Sequence, residues 1–362
     1  MKAFHSSTLQ NLRAAARAAV FFLKVFPMLP SRPVDWLTPP PRLEKVSYPT
    51  ATGSADGELY LPGTNGSHPG IVVCLGVVPF GVEHPQVAVL GKALARAGIA
   101  ALLYWSPAMR DFRLEPADIG NIALAYDWLI GRPDIDPARS GLLGTCVGGS
   151  FAMLAAAHPL IRERIAFLSA YAPFSSMWTF ARDIASATRS NGTEPEPWQV
   201  DQLTRRVFVH SLTADLEPDE AEPLRASFAV QGGPPCAPPA SPEGRTIYAL
   251  LTAQGPAAAE AALRGLPSEM QEKLTAMSPI TYLQDLCSPQ IILLHDRGDQ
   301  LIPVGESRRL VAAFDGRSGV SYTEMGFQHL DPVKGRLPLR TLIREFIKFL
   351  SAIYPLFQRT VA

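Results

Sequence analysis

The sequence predicts an α/β protein with a mostly parallel sheet that is covered by helices on both faces. From residue 70 onward, short apolar segments alternate with segments of helical periodicity, as in successive βα units. These strands are apolar at consecutive positions, which is typical of a parallel sheet buried between two helical layers. The chain has 362 residues, of which 47% are hydrophobic and 18% charged, and this composition excludes a disordered or coiled-coil protein.

The predicted elements keep a regular order on both sides of one long interruption. Two strands at 43–48 and 57–61 are predicted to form a hairpin beside the sheet. The predicted strands of the sheet are 71–75, 99–104, 141–144, 165–171, 291–294 and 320–325, and the predicted helices are 87–97, 117–129, 148–157, 304–314 and 339–353.

The interruption covers residues 174–285 and is predicted to be an inserted cap. It contains irregular helical stretches and a Gly/Pro-rich run at 232–239, which cannot pair in a sheet. The sequence therefore predicts four units: an N-terminal amphipathic helix at 1–37, a core in two parts at 38–173 and 286–362, and the cap between them.

The N-terminal helix has a predicted apolar face with three- and four-residue spacing, formed by Leu9, Leu12, Ala16, Ala19, Leu23 and Phe26. Arg13, Arg17 and Lys24 fall on another face, and the first acidic residue is Asp35. Such a helix either lies on an anionic membrane surface or packs on the rest of the protein or a partner subunit, and we favour packing. The apolar stretch is too short and interrupted for a spanning helix, and no signal peptide is expected.

Charge and cysteine content exclude several classes of partner. The 33 basic residues balance the 33 acidic residues, so no nucleic-acid partner is expected. The four cysteines form no CxxC pair and have no Cys/His ligand spacing, so no metal site is expected. No cofactor and no disulfide are expected either. A reducing, cytoplasmic location is the expectation that follows, and the oligomeric state is not predicted.

A Gly-x-Cys-x-Gly turn at 144–148 joins a short apolar strand to the start of an alanine-rich helix. This is the pattern of a nucleophile elbow, with Cys146 in the position that serine usually occupies. The small flanking residues avoid clashes in the sharp turn, and the partial positive charge at a helix N-terminus stabilises a thiolate. A buried core cysteine is the alternative interpretation of Cys146 taken alone.

Two further segments favour the nucleophile interpretation. Asp299 lies in an acidic loop after the predicted strand 291–294, where it can orient an imidazole, and Asp296 is the second candidate. His329 follows the next predicted strand and is the only histidine beyond Asp299. The three residues occur in the order nucleophile, acid, histidine, each after a predicted strand.

These motifs make residues 57–353 resemble the α/β-hydrolase superfamily. The turn around Cys146 further resembles that of dienelactone hydrolases and, more distantly, of polyhydroxyalkanoate synthases, which both use cysteine there. The resemblance implies a catalytic triad of Cys146, Asp299 and His329. It also implies an oxyanion hole formed by the backbone N–H groups of Val77 and Val147.

The function expected from these residues is hydrolysis of an ester, lactone or thioester of a small-molecule acyl substrate. An acyltransferase or polymerase with the same triad, and a non-catalytic binding protein of the same fold, remain alternatives. Trp105, Phe174 and Trp178 follow strand ends at the active edge of the sheet, where they are expected to line an acyl pocket or to serve only as packing.

Overall fold

The computed structural model describes residues 2–26, 29–78, 84–191, 194–326 and 338–361. One large sheet contains strands β1 (Arg42–Thr50), β2 (Gly53–Leu61), β3 (His68–Cys74), β4 (Ala100–Tyr104), β5 (Ile135–Thr145), β6 (Phe167–Tyr171), β9 (Ile291–Asp296) and β10 (Val320–Met325). Their order in space is β1-β2-β4-β3-β5-β6-β9-β10. Strand β2 is antiparallel to β1 and β4, and the strands from β4 to β10 are parallel.

The helices are α1 (Lys2–Val25), α2 (Arg32–Leu37), α3 (Pro85–Arg96), α4 (Pro107–Arg110), α5 (Ala117–Ile130), α6 (Val147–Ala156), α7 (Met177–Ser186), α8 (Gln202–Leu212), α9 (Pro218–Phe228), α10 (Pro242–Leu251), α11 (Gly255–Arg264), α12 (Ser268–Ala276), α13 (Val304–Phe314) and α14 (Leu339–Thr360). A small second sheet pairs β7 (Thr188–Ser190) with β8 (Pro195–Pro197). These elements confirm the predicted α/β class with a mainly parallel sheet.

The central strands of the sheet are buried because helices cover both of their faces. Every residue of β3, β4, β6 and β9 is buried. In β3, Val72 and Cys74 contribute to the core beneath α5 and α6, whereas Ile71 and Val73 contribute to the core beneath α1, α3 and α14. Successive side chains of a strand point to opposite faces, so one apolar run supplies both cores.

Helix α1 packs along α14 and α3, but its buried face differs from the predicted one. From Thr8 to Val25, its buried residues are Ala14, Ala18 and Phe21, while Leu9 and Leu12 are exposed. Small residues at the contact let the helices approach closely, and the Arg17 guanidinium donates a hydrogen bond to the carbonyl oxygen of Thr360 at 2.7 Å. The packing on α14 and α3, together with this hydrogen bond, therefore buries a different face of α1 from the predicted one. No helix in the described ranges is long and apolar enough to cross a membrane.

Helices α7 to α12 lie between β6 and β9, and a buried carboxylate joins the first of them to the core. Glu306 of α13 is completely buried. Its Oε2 accepts a hydrogen bond from the Ser175 N–H at 2.7 Å, and its Oε1 accepts one from Thr179 Oγ1 at 3.0 Å and is paired with Arg309. These bonds fix the start of α7 where the chain leaves the sheet.

We expect Glu306→Ala to lower the free energy of unfolding by about 3 to 5 kcal/mol, because it leaves Arg309 and the Ser175 N–H without their buried partner. Urea denaturation measures this change. The matched control is Glu260→Ala, which removes an exposed helical pair with Arg264 and should cost less than about 1 kcal/mol. Equal losses in the two variants would contradict the anchoring role of Glu306.

Candidate active site

Cys146 occupies a strained turn between the end of β5 and the start of α6. Its backbone has φ 56° and ψ −137°, a conformation that residues with a side chain rarely adopt. The Cys146 N–H donates to the carbonyl oxygen of Tyr171 at 2.8 Å, and the Cys146 carbonyl accepts from the Gly149 N–H at 2.8 Å. These two bonds hold the half-buried thiol at the carboxyl edge of the sheet.

Glycine is required on both sides of this turn because backbone approaches it from two directions. A Cβ atom on Gly144 would lie 2.3 Å from the carbonyl oxygen of Gly148, and one on Gly148 would lie 2.2 Å from that of Cys74. Gly76, with φ +75°, faces the same contact from the end of β3. The turn therefore packs directly against the loop that follows β3.

This contact brings Val77 and Val147 beside Cys146. All three residues line one pocket, and Val147 is the first residue of α6. Thr145 Oγ1 donates to the carbonyl oxygen of Leu75 at 3.1 Å and so ties the end of β5 to the loop that carries Val77. The two residues expected to form the oxyanion hole thus lie on the two segments that meet at the cysteine.

Asp299 lies in the loop after β9 and is buried. Its Oδ1 accepts hydrogen bonds from the N–H groups of Leu301 at 2.7 Å and Ile302 at 3.1 Å. Leu301 and Ile302 themselves line the pocket that contains Cys146. The carboxylate is therefore held immediately behind one wall of this pocket.

His295, in β9, fixes the same loop and was not identified from the sequence. Its ring is fully buried, with Nδ1 2.7 Å from Ser307 Oγ and Nε2 2.9 Å from the carbonyl oxygen of Ile302. The same Nε2 lies 3.7 Å from Asp299 Oδ2. A histidine near the end of an otherwise apolar strand was the available signal for this positioning residue.

Asp296, the second candidate acid, is also buried at the end of β9. Its Oδ1 accepts the Gly298 N–H at 2.9 Å, a bond within its own turn.

His329 lies outside the described residues. The chain reaches that segment through Gly326, which follows β10, and Met325 of β10 is in register with Asp296 of β9.

Glu345 of α14 holds the start of that segment. Its buried carboxylate accepts the Gly326 N–H at 2.8 Å and lies 3.2 Å from Lys348 Nζ. Burial acts to raise the pKa of Glu345, but the hydrogen bonds from Gly326 and Lys348 lower it below its ordinary value on balance. The chain after β10 is thus anchored beside the loop of Asp296 and Asp299.

An apolar pocket opens above Cys146, between the sheet edge and helices α7, α8 and α12. It encloses about 940 Å³, including the solvent at its mouth. Helix α7 contributes Met177, Phe180 and Ile184, a set with the spacing of one helix face. The remaining apolar lining residues are Val77, Leu114, Val147, Leu203, Val207, Phe208, Leu212, Ala214, Met270, Leu274, Met277, Leu301 and Ile302.

The three aromatic residues expected to bind substrate lie outside this lining. Phe174 is 0% exposed and stacks behind Phe180, with ring centroids 5.6 Å apart. Trp178 donates from Nε1 to Thr275 Oγ1 at 3.1 Å and so joins α7 to α12. Trp105 is buried in the core beneath α1, α3 and α14. Each ring packs between elements, and the face of α7 that contains Phe180 supplies the pocket wall instead.

The other thiols differ from Cys146 in their surroundings. Complete burial raises the pKa of Cys74, with a further contribution from the charge of Asp118, so Cys74 remains protonated. All four cysteines are free, with Cys236 half-buried and Cys287 exposed. Within the described part of the chain, no three His, Cys, Asp or Glu side chains lie close enough together to hold a metal ion.

Comparison with solved structures identifies the architecture as the α/β-hydrolase fold. DcsB, solved with a substrate analogue, matches 88% of this chain over 100% of its own, with a TM-score of 0.53 and 17% identity. Acylaminoacyl peptidase from Pyrococcus horikoshii matches 89% of this chain over 42% of its own, with a TM-score of 0.54 and 14% identity. The 2,6-dihydroxy-pseudo-oxynicotine hydrolase matches 88% over 68% of its own chain, with a TM-score of 0.51 and 14% identity.

This chain thus spans less than half the length of the peptidase that it matches. No protein-family profile matches the sequence, and a search of curated protein sequences gives no match. At these identities the structural likeness establishes the fold.

We expect Gly148→Ala to lower the free energy of unfolding by about 1–3 kcal/mol, because its methyl group would overlap the carbonyl oxygen of Cys74. Thermal or urea unfolding measures the change. Gly120→Ala in α5 is the matched control, since nothing lies within 4 Å of its added methyl group, and it should raise stability by about 0.5–1 kcal/mol. A neutral Gly148→Ala would show that the turn can move away from β3.

Proposed function

We propose that this protein is a hydrolase that cleaves acyl esters, lactones or thioesters through a covalent bond to Cys146. The observation that carries the proposal is a half-buried thiol, in the strained turn of a nucleophile elbow, at the floor of an apolar pocket. The names of two structural neighbours, a peptidase and a hydrolase, support hydrolytic chemistry on this fold.

The proposed reaction begins when His329, oriented by Asp299, accepts the proton of the Cys146 thiol. The sulfur forms a bond to the acyl carbonyl carbon, and the resulting oxyanion accepts hydrogen bonds from the N–H groups of Val77 and Val147. The bond from the acyl carbon to the leaving oxygen or sulfur breaks, and His329 gives the proton to the departing alcohol or thiol. An acyl thioester on Cys146 remains.

Water completes the cycle by hydrolysing the acyl thioester, and the proton now moves through His329 towards the sulfur. His329 accepts a proton from water as the water oxygen bonds to the acyl carbon. The bond between this carbon and the Cys146 sulfur breaks, the carboxylic acid leaves, and the thiol regains its proton. An alcohol in place of water would give acyl transfer, so an acceptor alcohol belongs in the assay.

Asp299 is favoured over Asp296 as the acid of the triad. The two backbone N–H groups that bind Asp299 belong to Leu301 and Ile302, which line the pocket that contains Cys146. The position of Asp299 behind the wall suits a carboxylate that orients a histidine beside Cys146.

The lining favours apolar acyl groups over charged ones. Its side chains are predominantly aliphatic, and Phe180 and Phe208 add aromatic surface. Each methylene that leaves water contributes about 0.8 kcal/mol, and this contribution raises kcat/KM only while the added carbon still meets apolar side chains.

Cys146→Ala should abolish turnover of p-nitrophenyl esters, because alanine fits the turn but cannot form the acyl-enzyme. Cys146→Ser should retain at most a small fraction of the activity, because its hydroxyl depends fully on a base. The matched control, Cys287→Ala, removes an exposed thiol away from the pocket and should leave kcat/KM unchanged. Full activity of Cys146→Ala would overturn the proposed function, and acylation of Cys146, seen by mass spectrometry of quenched enzyme, would support it.

Asp299→Asn should reduce kcat by about 10⁴-fold, as expected when the tautomer of a catalytic histidine is no longer held. Asp296→Asn should reduce it far less. Both carboxylates are buried to the same extent, so a difference in kcat between the two variants reflects where the carboxylate lies and not how deeply it is buried. The opposite ranking, measured as kcat with one ester, would assign the acid to Asp296.

A further inference from the structure

The apolar pocket has one polar end. Glu115, Ser211, Asp215 and Lys273 are lining residues, and they come from three different segments of the chain. The Lys273 Nζ lies 2.5 Å from Asp215 Oδ2, and Ser211 Oγ accepts the N–H of Leu114, the neighbour of Glu115, at 3.0 Å. The charge of Glu115 also acts on Lys273, so the carboxylates of Glu115 and Asp215 both lie near this ammonium.

Helix α8 shows that the polar end lies away from the loop of Asp299. Near the start of α8, Thr204 Oγ1 donates to the carbonyl oxygen of Leu301 at 2.9 Å, beside that loop. Ser211 is seven residues further along α8, and an α-helix rises about 1.5 Å per residue, so the two contacts are about 10 Å apart along the helix axis. Val207 and Phe208 cover the interval between them with apolar surface.

The polar end is charged and partly wet. The side chains of Lys273 and Asp215 are 30% and 60% exposed. The hydrogen bond to Asp215 raises the pKa of Lys273 above its ordinary value, and the charges of Asp215, Glu115 and Glu269 add to this effect, so the ammonium remains charged. The terminal methyl group of an unsubstituted acyl chain would displace water from these charged groups. It could not replace their hydrogen bonds with water, so its binding at this end is unfavourable.

We propose that the acyl group of the substrate carries a hydrogen-bonding substituent, such as a hydroxyl, at the end remote from the reacting carbonyl, and that Lys273 and Asp215 bind it. This inference rests on the proposed function, since it assigns the acyl group to the pocket above Cys146. A hydroxyl can accept from the ammonium and donate to the carboxylate, so it satisfies both groups of the pair. The apolar part of the chain lies against α8 between the two ends.

The test compares p-nitrophenyl esters of hexanoic, octanoic and decanoic acids with the corresponding esters that carry a terminal hydroxyl. For the wild-type protein, we expect kcat/KM to favour the hydroxylated member by about tenfold at the length that reaches Lys273, as for a hydrogen bond to a charged group. Lys273→Met keeps most of the unbranched side chain and removes the ammonium group with its charge, so it should abolish or reverse this preference. Asp215→Asn should reduce it.

Glu269→Gln is the matched control. Glu269 Oε1 lies 3.7 Å from the same Lys273 ammonium but is not a lining residue, so the preference should stay at the wild-type value. Thermal unfolding of each variant shows that it is folded.

The outcomes separate this proposal from the proposed function. Loss of turnover in Cys146→Ala together with equal preferences in the wild-type protein and Lys273→Met would overturn the polar-end proposal alone. The polar-end proposal would also be overturned if the effect of Lys273→Met on kcat/KM depended on the leaving group of the ester and not on its acyl group. Turnover that survives in Cys146→Ala would remove the basis of both.

Discussion

The close contact between the glycine turn at Cys146 and the end of β3 is the constraint on which the site depends. Gly144 and Gly148 let the start of α6 approach the Cys74 carbonyl and Gly76, and this approach brings Val77 beside Val147. The hydrogen bond from the Cys146 N–H to Tyr171 holds the positive φ from the opposite side. The strain at Cys146 is sustained because three neighbouring strands determine the turn together.

The sequence predicted most of the sheet because its signal is local. Apolar runs and helical periods marked the parallel strands and their covering helices, and Gly-x-Cys-x-Gly marked the turn. Side-chain partners were harder to predict, since they depend on distant segments. Arg17 of α1 binds the Thr360 carbonyl at the other end of the chain, and Phe174 stacks on Phe180 of α7 instead of lining the pocket. Neither contact leaves a pattern in the local sequence.

Helices α7 and α8 are joined to the rest of the protein through buried polar groups as well as apolar packing. Glu306 binds the first turn of α7, whose Met177, Phe180 and Ile184 then form a wall of the pocket. Thr204 ties α8 to the Asp299 loop at Leu301. A buried carboxylate is costly unless its hydrogen bonds are satisfied, so these groups favour one arrangement of α7 and α8 over other apolar packings. The shape of the pocket therefore depends on polar bonds outside its lining.

Buried carboxylates also gather where the segment of His329 leaves the sheet. Asp296 ends β9, Asp299 lies in the loop that follows, and Glu345 binds Gly326 immediately after β10. Arg297 and Lys348 near Glu345 offset part of this negative charge. In the proposed reaction, the imidazole that accepts the Cys146 proton gains a positive charge, and a buried carboxylate near it would stabilise that charge. If the pocket binds an acyl chain as proposed, the same charges would disfavour an anionic chain near Asp299, which agrees with an apolar pocket whose charged lining residues lie at its far end.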